Sequence, residues 1–243
     1  MPSELAAERG EPSYVWRSGQ ERRLRMVANW AHMQGATILE DGCGLGTYAS
    51  QFQRRFNAKV EALDIEAERV AVAHQEVPHA LVAAGEHLPY PANTFDLVFS
   101  NEVIEHVQND HEAAAEMVRV TAPGGRIIIF CPNRWYPFET HGFYWRGKYH
   151  FGNTPLINYL PDPLRNRLAP HVRAYTAHVL LGLFKDHPVR IVEHTRIFGG
   201  YDNIARRSPT LGKLLRIVLY TLESTPLRIF GLSHFVVLEK TTS

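Results

Sequence analysis

Cysteine is scarce: Cys43 and Cys131 are the only two in 243 residues, and no C-x-x-C pair exists. That excludes a disulfide framework and fits a reducing compartment, so a cytoplasmic location is expected. No stretch of about 18 apolar residues occurs, which excludes a membrane-spanning helix. The opening residues, MPSELAAERGEPSY, have no apolar centre, so a secretory signal is not expected. An excess of one charge sign is lacking too. The 26 Lys and Arg face 25 Asp and Glu, for a net charge of +1, which sets nucleic acid aside as the expected partner. There is no internal repeat and no low-complexity tract.

What is present is an ordinary globular composition, 45% hydrophobic, in a length that suits one domain. The charges are unevenly spread. Residues 1–130 hold 11 Lys and Arg against 18 Asp and Glu, whereas residues 131–243 hold 15 against 7. Strand-like runs and helical periods alternate through the first half. ATILED (36–41), KVEALD (59–64), HALVAA (79–84), FDLVFSN (95–101) and GRIIIF (125–130) read as strands. Helices are expected over 19–33, 47–57, 65–75 and 111–121. This rhythm predicts an α/β, Rossmann-like fold: a seven-stranded, mostly parallel sheet with helices on both faces. HPVRIVEHTRI (187–197) and an antiparallel last strand, HFVVLEK (234–240), complete it. Helices are also expected near 169–184 and over 209–222. The organisation read from this is a single domain over 1–243. It has a core over 14–131, an insertion over 132–185 and closing elements over 186–243.

The motif richest in chemistry is ILEDGCGLGTYA (38–49). A strand ends in Glu40 and Asp41, and Gly42, Gly44 and Gly46 follow at alternate positions. Such glycines permit a tight turn and a close backbone approach by a ligand. The helix behind them offers free N–H groups. A nicotinamide-binding G-x-G-x-x-G loop would need a small residue where Thr47 stands. Asp64 ends the second strand, 18 residues after Gly46, where a carboxylate can accept ribose hydroxyls.

Taken in order, Glu40 to Gly46, Leu63-Asp64, Glu86 to Tyr90, FDLVFSNEVIEHV (95–107) and Ala122 to Gly125 resemble class I S-adenosylmethionine-dependent methyltransferases. The resemblance spans residues 36–131 and implies that S-adenosyl-L-methionine is the cofactor. Gly42, Gly44 and Gly46 would lie under its methionine part, and Asp64 would hold the ribose. Ile65 would pack on the adenine, with Gly85 and Glu86 at its edge, and Asp41 and Asn101 are further cofactor-binding candidates. Ala84 departs from the pattern, since many relatives carry an aspartate there.

Glu102, Glu105 and His106 stand at i, i+3, i+4, the spacing of one helix face. This E-x-x-E-H pattern resembles ubiquinone-pathway O-methyltransferases and small-RNA 2′-O-methyltransferases. It implies a divalent metal on Glu102, Glu105, His106 and a further His, for which His141 is the candidate. Glu105, His106 and His141 are the candidate catalytic residues, because a hydroxyl acceptor must lose a proton. The other use of this segment is structural. Residues 132–161 hold nine aromatics with Arg134, His141, Arg146 and Lys148 among them, a composition suited to a lid over a flat, apolar or lipid-like acceptor.

The expected function is methyl transfer to a small-molecule acceptor, with oxygen favoured. The competing readings are an RNA 2′-O-methyltransferase, a nicotinamide-dependent oxidoreductase and a cofactor-binding protein without turnover. The apolar, cation-dotted stretch Leu211–Val237 either packs on the sheet or makes a peripheral membrane or dimer contact. No pattern in the chain selects an oligomeric state. Tyr14, Trp16 and Arg22 are candidates to close over the cofactor from the N-terminal side.

Overall fold

A computed structural model describes residues 15–242, so Tyr14 and the polar opening residues lie outside the described residues. The sheet is built from β1 (Thr37–Asp41), β2 (Lys59–Asp64), β3 (Ala80–Val82), β4 (Phe95–Asn101) and β5 (Thr121–Pro132), all parallel, with two later strands. Four short strands follow: β6 (Phe138–Glu139), β7 (Phe143–Trp145), β8 (Lys148–His150) and β9 (Thr154–Pro155), paired as β6 with β9 and β7 with β8. Then come β10 (Val189–Ile197) and β11 (Ser233–Lys240). The order across the main sheet is β10-β11-β5-β4-β1-β2-β3, with β11 antiparallel to both neighbours. This is the expected architecture.

The two-residue period of a strand explains why both faces are covered. Ile38, Val60, Leu97, Phe99, Ile128 and Phe130 point to one core, while their neighbours Leu39, Leu63, Val98, Ile127 and Ile129 point to the other. On the first face Leu24 and Val27 come from α1 (Ser18–Trp30), and Tyr48 and Phe52 from α2 (Thr47–Phe56). After α3 (Ala67–Ala73), the second face is covered by Ala114, Met117 and Val118 of α4 (Asp110–Val120). The Asn109 side chain caps α4 by accepting from the amides of His111 and Glu112.

Several expectations are corrected. The strand expected over 79–84 is only Ala80–Val82. The helix expected near 169–184 exists only as α6 (Ala177–Gly182), preceded by α5 (Asp162–Leu168) in a stretch with no visible period. Residues 171–176 run outside any helix because Tyr175 bridges to Asn133, and its buried ring sends the hydroxyl to the Ile104 carbonyl at 2.9 Å. The Glu102–His106 segment is a set of turns rather than a helix, and Glu102 holds a left-handed φ of 57°. Two more helices, α7 (Asp202–Arg207) and α8 (Pro209–Leu222), precede β11. Helix α8 packs on α7 rather than on the sheet. Gly212 permits this, since a Cβ there would lie 2.4 Å from the Ala205 Cα. Among the described residues, no helix is long and apolar enough to cross a membrane.

Candidate functional site

The carboxyl ends of β1, β2 and β4 open onto one cavity of about 1470 Å³. Its floor is the turn after β1. Gly42, Gly44 and Gly46 all take positive φ, at 75°, 54° and 74°. At Gly42 the need is steric as well, because a Cβ would fall 2.2 Å from Val103 Cγ2. The turn is held from β2. The Cys43 amide donates to the Leu63 carbonyl at 2.7 Å, and the Gly44 amide to Asp64 Oδ2 at 2.9 Å. Asp64 Oδ1 accepts from the Glu66 amide at 2.9 Å, so this carboxylate is already aligned on both sides. Behind the turn, Glu40 accepts the Ala49 amide at 2.7 Å and so caps the first turn of α2.

Asp41 is different. It is 1% exposed, and neither carboxylate oxygen makes a close hydrogen bond, the Ser100 hydroxyl being the one side-chain donor near it. Burial, with Glu86 and Asp64 nearby, pushes its carboxyl up to about 7. It lies against Gly85, whose missing side chain leaves it room: a Cβ there would sit 3.1 Å from Asp41 Oδ1. A buried carboxylate so little hydrogen-bonded, beside a turn of backbone amides, is a ready place for a cationic group. Ile65 is 48% exposed on the same wall. Glu86 lines the cavity but spends one oxygen on the Gln108 amide at 2.6 Å. Asn101 is oriented by Arg23, whose Nη1 donates to its Oδ1 at 2.5 Å.

Arg23 also explains the fate of Glu102. Its Nη2 donates to Glu102 Oε1 at 2.7 Å and to the Ser233 hydroxyl at 2.9 Å, and its guanidinium stands over the Phe130 ring. Burial works against the Glu102 carboxylate, but Arg23 holds it below the usual range. Glu102 is thereby engaged by Arg23 and Ser233 and is not one of the converging ligand set, although it stays close enough to act on Glu105 and His141. The other three do converge. Ligand atoms of Glu105, His106 and His141 lie within 4.8 Å of one another, the one such group among the described residues. Glu105 is 1% exposed with both oxygens unpartnered, and burial plus the nearby Glu102 raise its carboxyl well above the usual range. Burial lowers His106 to about 4, so its ring is neutral at neutral pH.

His141 is fixed from behind by two residues that sequence reading missed. Glu139 accepts its amide at 2.9 Å, and His141 Nδ1 lies 3.3 Å from the same oxygen. Glu139's other oxygen accepts from Arg165 Nη2 at 2.9 Å, and Arg165 Nη1 donates to the Val172 carbonyl at 2.5 Å. Burial opposes the Glu139 charge, yet His141 and Arg165 together hold its carboxyl down to about 2. Both partners are 2% exposed. Removing one side of such a pair strands a charge, so Arg165→Met is expected to lower unfolding free energy by about 3–5 kcal/mol. Denaturant melts at neutral pH test this, and adding Glu139→Gln should restore a large part of the loss.

Trp16 stacks edge-on against Tyr48 at 5.1 Å, and Arg22 lines the cavity while pairing with Glu223, which ties the N-terminal helix to the far end of the chain. Tyr144, Tyr149 and the largely exposed Phe151 of the 132–161 segment are on the cavity wall, whereas Trp135, Phe138, Trp145 and Tyr159 are exposed away from it.

Residues 39–129 match the Methyltransferase domain family. Malonyl-[acyl-carrier protein] O-methyltransferase of Yersinia pestis is 33% identical over 129 residues, covering 51% of this chain and 48% of that protein. Norajmaline N-methyltransferase of Rauvolfia serpentina is 33% identical over 100 residues, 38% of this chain and 34% of that one. The chain thus spans about half or less of the length of these curated relatives. Among solved structures, an S-adenosylmethionine-dependent methyltransferase from Mesorhizobium loti superimposes with a TM-score of 0.63 at 18% identity, covering 91% of this chain and 98% of that one. The [4+2]-cyclase SpnF reaches 0.62 at 16% identity, covering 94% and 84%.

Proposed function

We propose, taking as premise that this chain is a class I S-adenosylmethionine-dependent methyltransferase, that it methylates a small, largely apolar acceptor on oxygen, with His141 removing the acceptor's proton. The observation carrying this reading is one cavity that joins the glycine turn and Asp64 to the Glu105–His106–His141 group. When bound, the cofactor supplies an electrophilic methyl group on a sulfonium. Asp64 and the turn amides would hold it, Ile65 would pack on its adenine, and Asp41 would meet its cationic part. The buried Asp41 carboxyl, which makes no close hydrogen bond, and the three glycines of the turn fit such a guest.

The chain's own work is then positioning and proton handling. Glu139 orients the His141 ring through Nδ1, leaving Nε2 to accept a proton. The aromatic segment 132–185 encloses the acceptor and excludes water, so that its oxygen lines up with the methyl group. Removal of the proton makes that oxygen the nucleophile, and His106, held neutral by burial, adds no cationic competition.

The convergence of Glu105, His106 and His141 favours a second reading, in which the same three residues hold a divalent cation that lowers the acceptor's pKa. Loss of turnover on chelation, restored by one added cation, selects it.

Calorimetry tests the premise. S-adenosylhomocysteine should bind saturably and NAD should not. Because Asp41 must give up its proton to meet a cation, affinity should rise as pH rises through about 7, with proton release on binding. The Asp41→Asn variant should flatten that dependence. Turnover is then read as S-adenosylhomocysteine formed in step with methylated product across hydroxyl and amine acceptors. Methylation of amines alone rejects the oxygen assignment.

A further inference from the structure

Helix α8 turns the wrong face outward for an ordinary surface helix. Leu211, Leu214, Ile217 and Val218 are 54, 56, 56 and 49% exposed, and they form one stripe at i, i+3, i+6, i+7. The inward face is mixed: beside half-buried Leu215, Leu219 and Leu222, Arg216 donates to the Gly200 carbonyl at 2.6 Å and to Asp202 at 3.0 Å, and the Tyr220 hydroxyl reaches the Gly199 carbonyl. The next turn, Pro226–Phe230, continues the apolar surface with Leu227, Ile229 and Phe230 at 49, 37 and 41% exposure.

Charge around this surface has one sign. Arg206, Arg207, Lys213 and Arg228 are exposed, and no ion pair joins them to a described carboxylate. From residue 203 to 238 the one acid is Glu223, and it is paired with Arg22. An apolar stripe edged by free cations complements a surface that is apolar inside and negative at its face. We propose that α8 and the Pro226–Phe230 turn dock this enzyme peripherally on an anionic phospholipid bilayer. The docking face is coupled to the cavity, because Gly199 and Gly200, which α8 holds, are part of the cavity wall. Apolar acceptors dissolved in the bilayer would then enter where the protein is seated.

Co-sedimentation with vesicles tests this. Phosphatidylcholine vesicles in which part of the lipid is replaced by phosphatidylglycerol should carry the protein down, and pure phosphatidylcholine should retain far less. Lys213→Glu with Arg228→Glu should weaken binding on the order of a hundredfold. Leu214→Asp with Ile217→Asp should weaken it as strongly. Both pairs are exposed, so S-adenosylhomocysteine affinity should be unchanged and certifies the fold. No binding to anionic vesicles, or equal binding by all three proteins, overturns the proposal. Wild-type self-association in the ultracentrifuge that Leu214→Asp with Ile217→Asp abolishes, without vesicle binding, also overturns it and assigns the face to a second copy.

Discussion

Replacing Asp64 by Ala lowers affinity for S-adenosylhomocysteine by about a hundredfold or more, as read by calorimetry. The side chain is 5% exposed and its two oxygens take the amides of Gly44 and Glu66, each at 2.9 Å. A hydrogen bond to a charged group contributes about 1.5–3 kcal/mol. The substitution removes two such bonds that shape the turn, and with them the carboxylate proposed to accept the ribose hydroxyls. Asp64→Asn, which keeps an acceptor oxygen but loses the charge, should fall between wild type and Ala. A folded Asp64→Ala protein with unchanged affinity removes the cofactor assignment at this position.

Replacing His141 by Ala should cut turnover about 10²–10⁴-fold, the usual contribution of general acid–base catalysis, while leaving S-adenosylhomocysteine affinity unchanged. His141 is the ring with a built support, since Glu139 binds both its amide and its Nδ1, and Arg165 fixes Glu139 in turn. Glu139→Gln keeps an acceptor beside Nδ1 but removes the charge that would stabilise an imidazolium. Its rate should therefore drop by less than that of His141→Ala, with the stability loss followed separately by denaturant melt. Equal rates for wild type and His141→Ala would reduce the ring to a structural part of the wall. Chelation separates the remaining alternatives: a proton-accepting histidine is indifferent to it, and a bound cation is not.

The glycine turn was legible because it is local. Gly42, Gly44 and Gly46 lie within five residues, and their left-handed backbone is a property that only their residue type readily supplies. The strands were legible for a related reason: a parallel strand buried on both faces is a short continuous apolar run, as Ile127, Ile128 and Ile129 are. The E-x-x-E-H segment misled for the opposite reason. Its spacing suits a helix, but the segment runs as turns with Glu102 at a left-handed φ, and the Glu102 side chain is taken up by Arg23 and Ser233, 79 and 131 residues away. Glu139 and Arg165 carry no motif at all. They matter because α5 brings one beneath the other, 26 residues apart.

The sequence alone therefore determined the sheet, its mostly parallel character and the place of the glycine turn, since these follow from periodicity and from the conformational freedom of glycine. Tertiary structure decided the rest: which acid makes no close hydrogen bond at the turn, which histidine is supported, and which face of α8 is left bare. Each of those depends on charges and contacts between residues far apart in the chain. Whether a buried carboxyl is neutral, paired or poised for a ligand is set by what the fold packs against it, as Asp41, Glu102 and Glu139 show in three different ways.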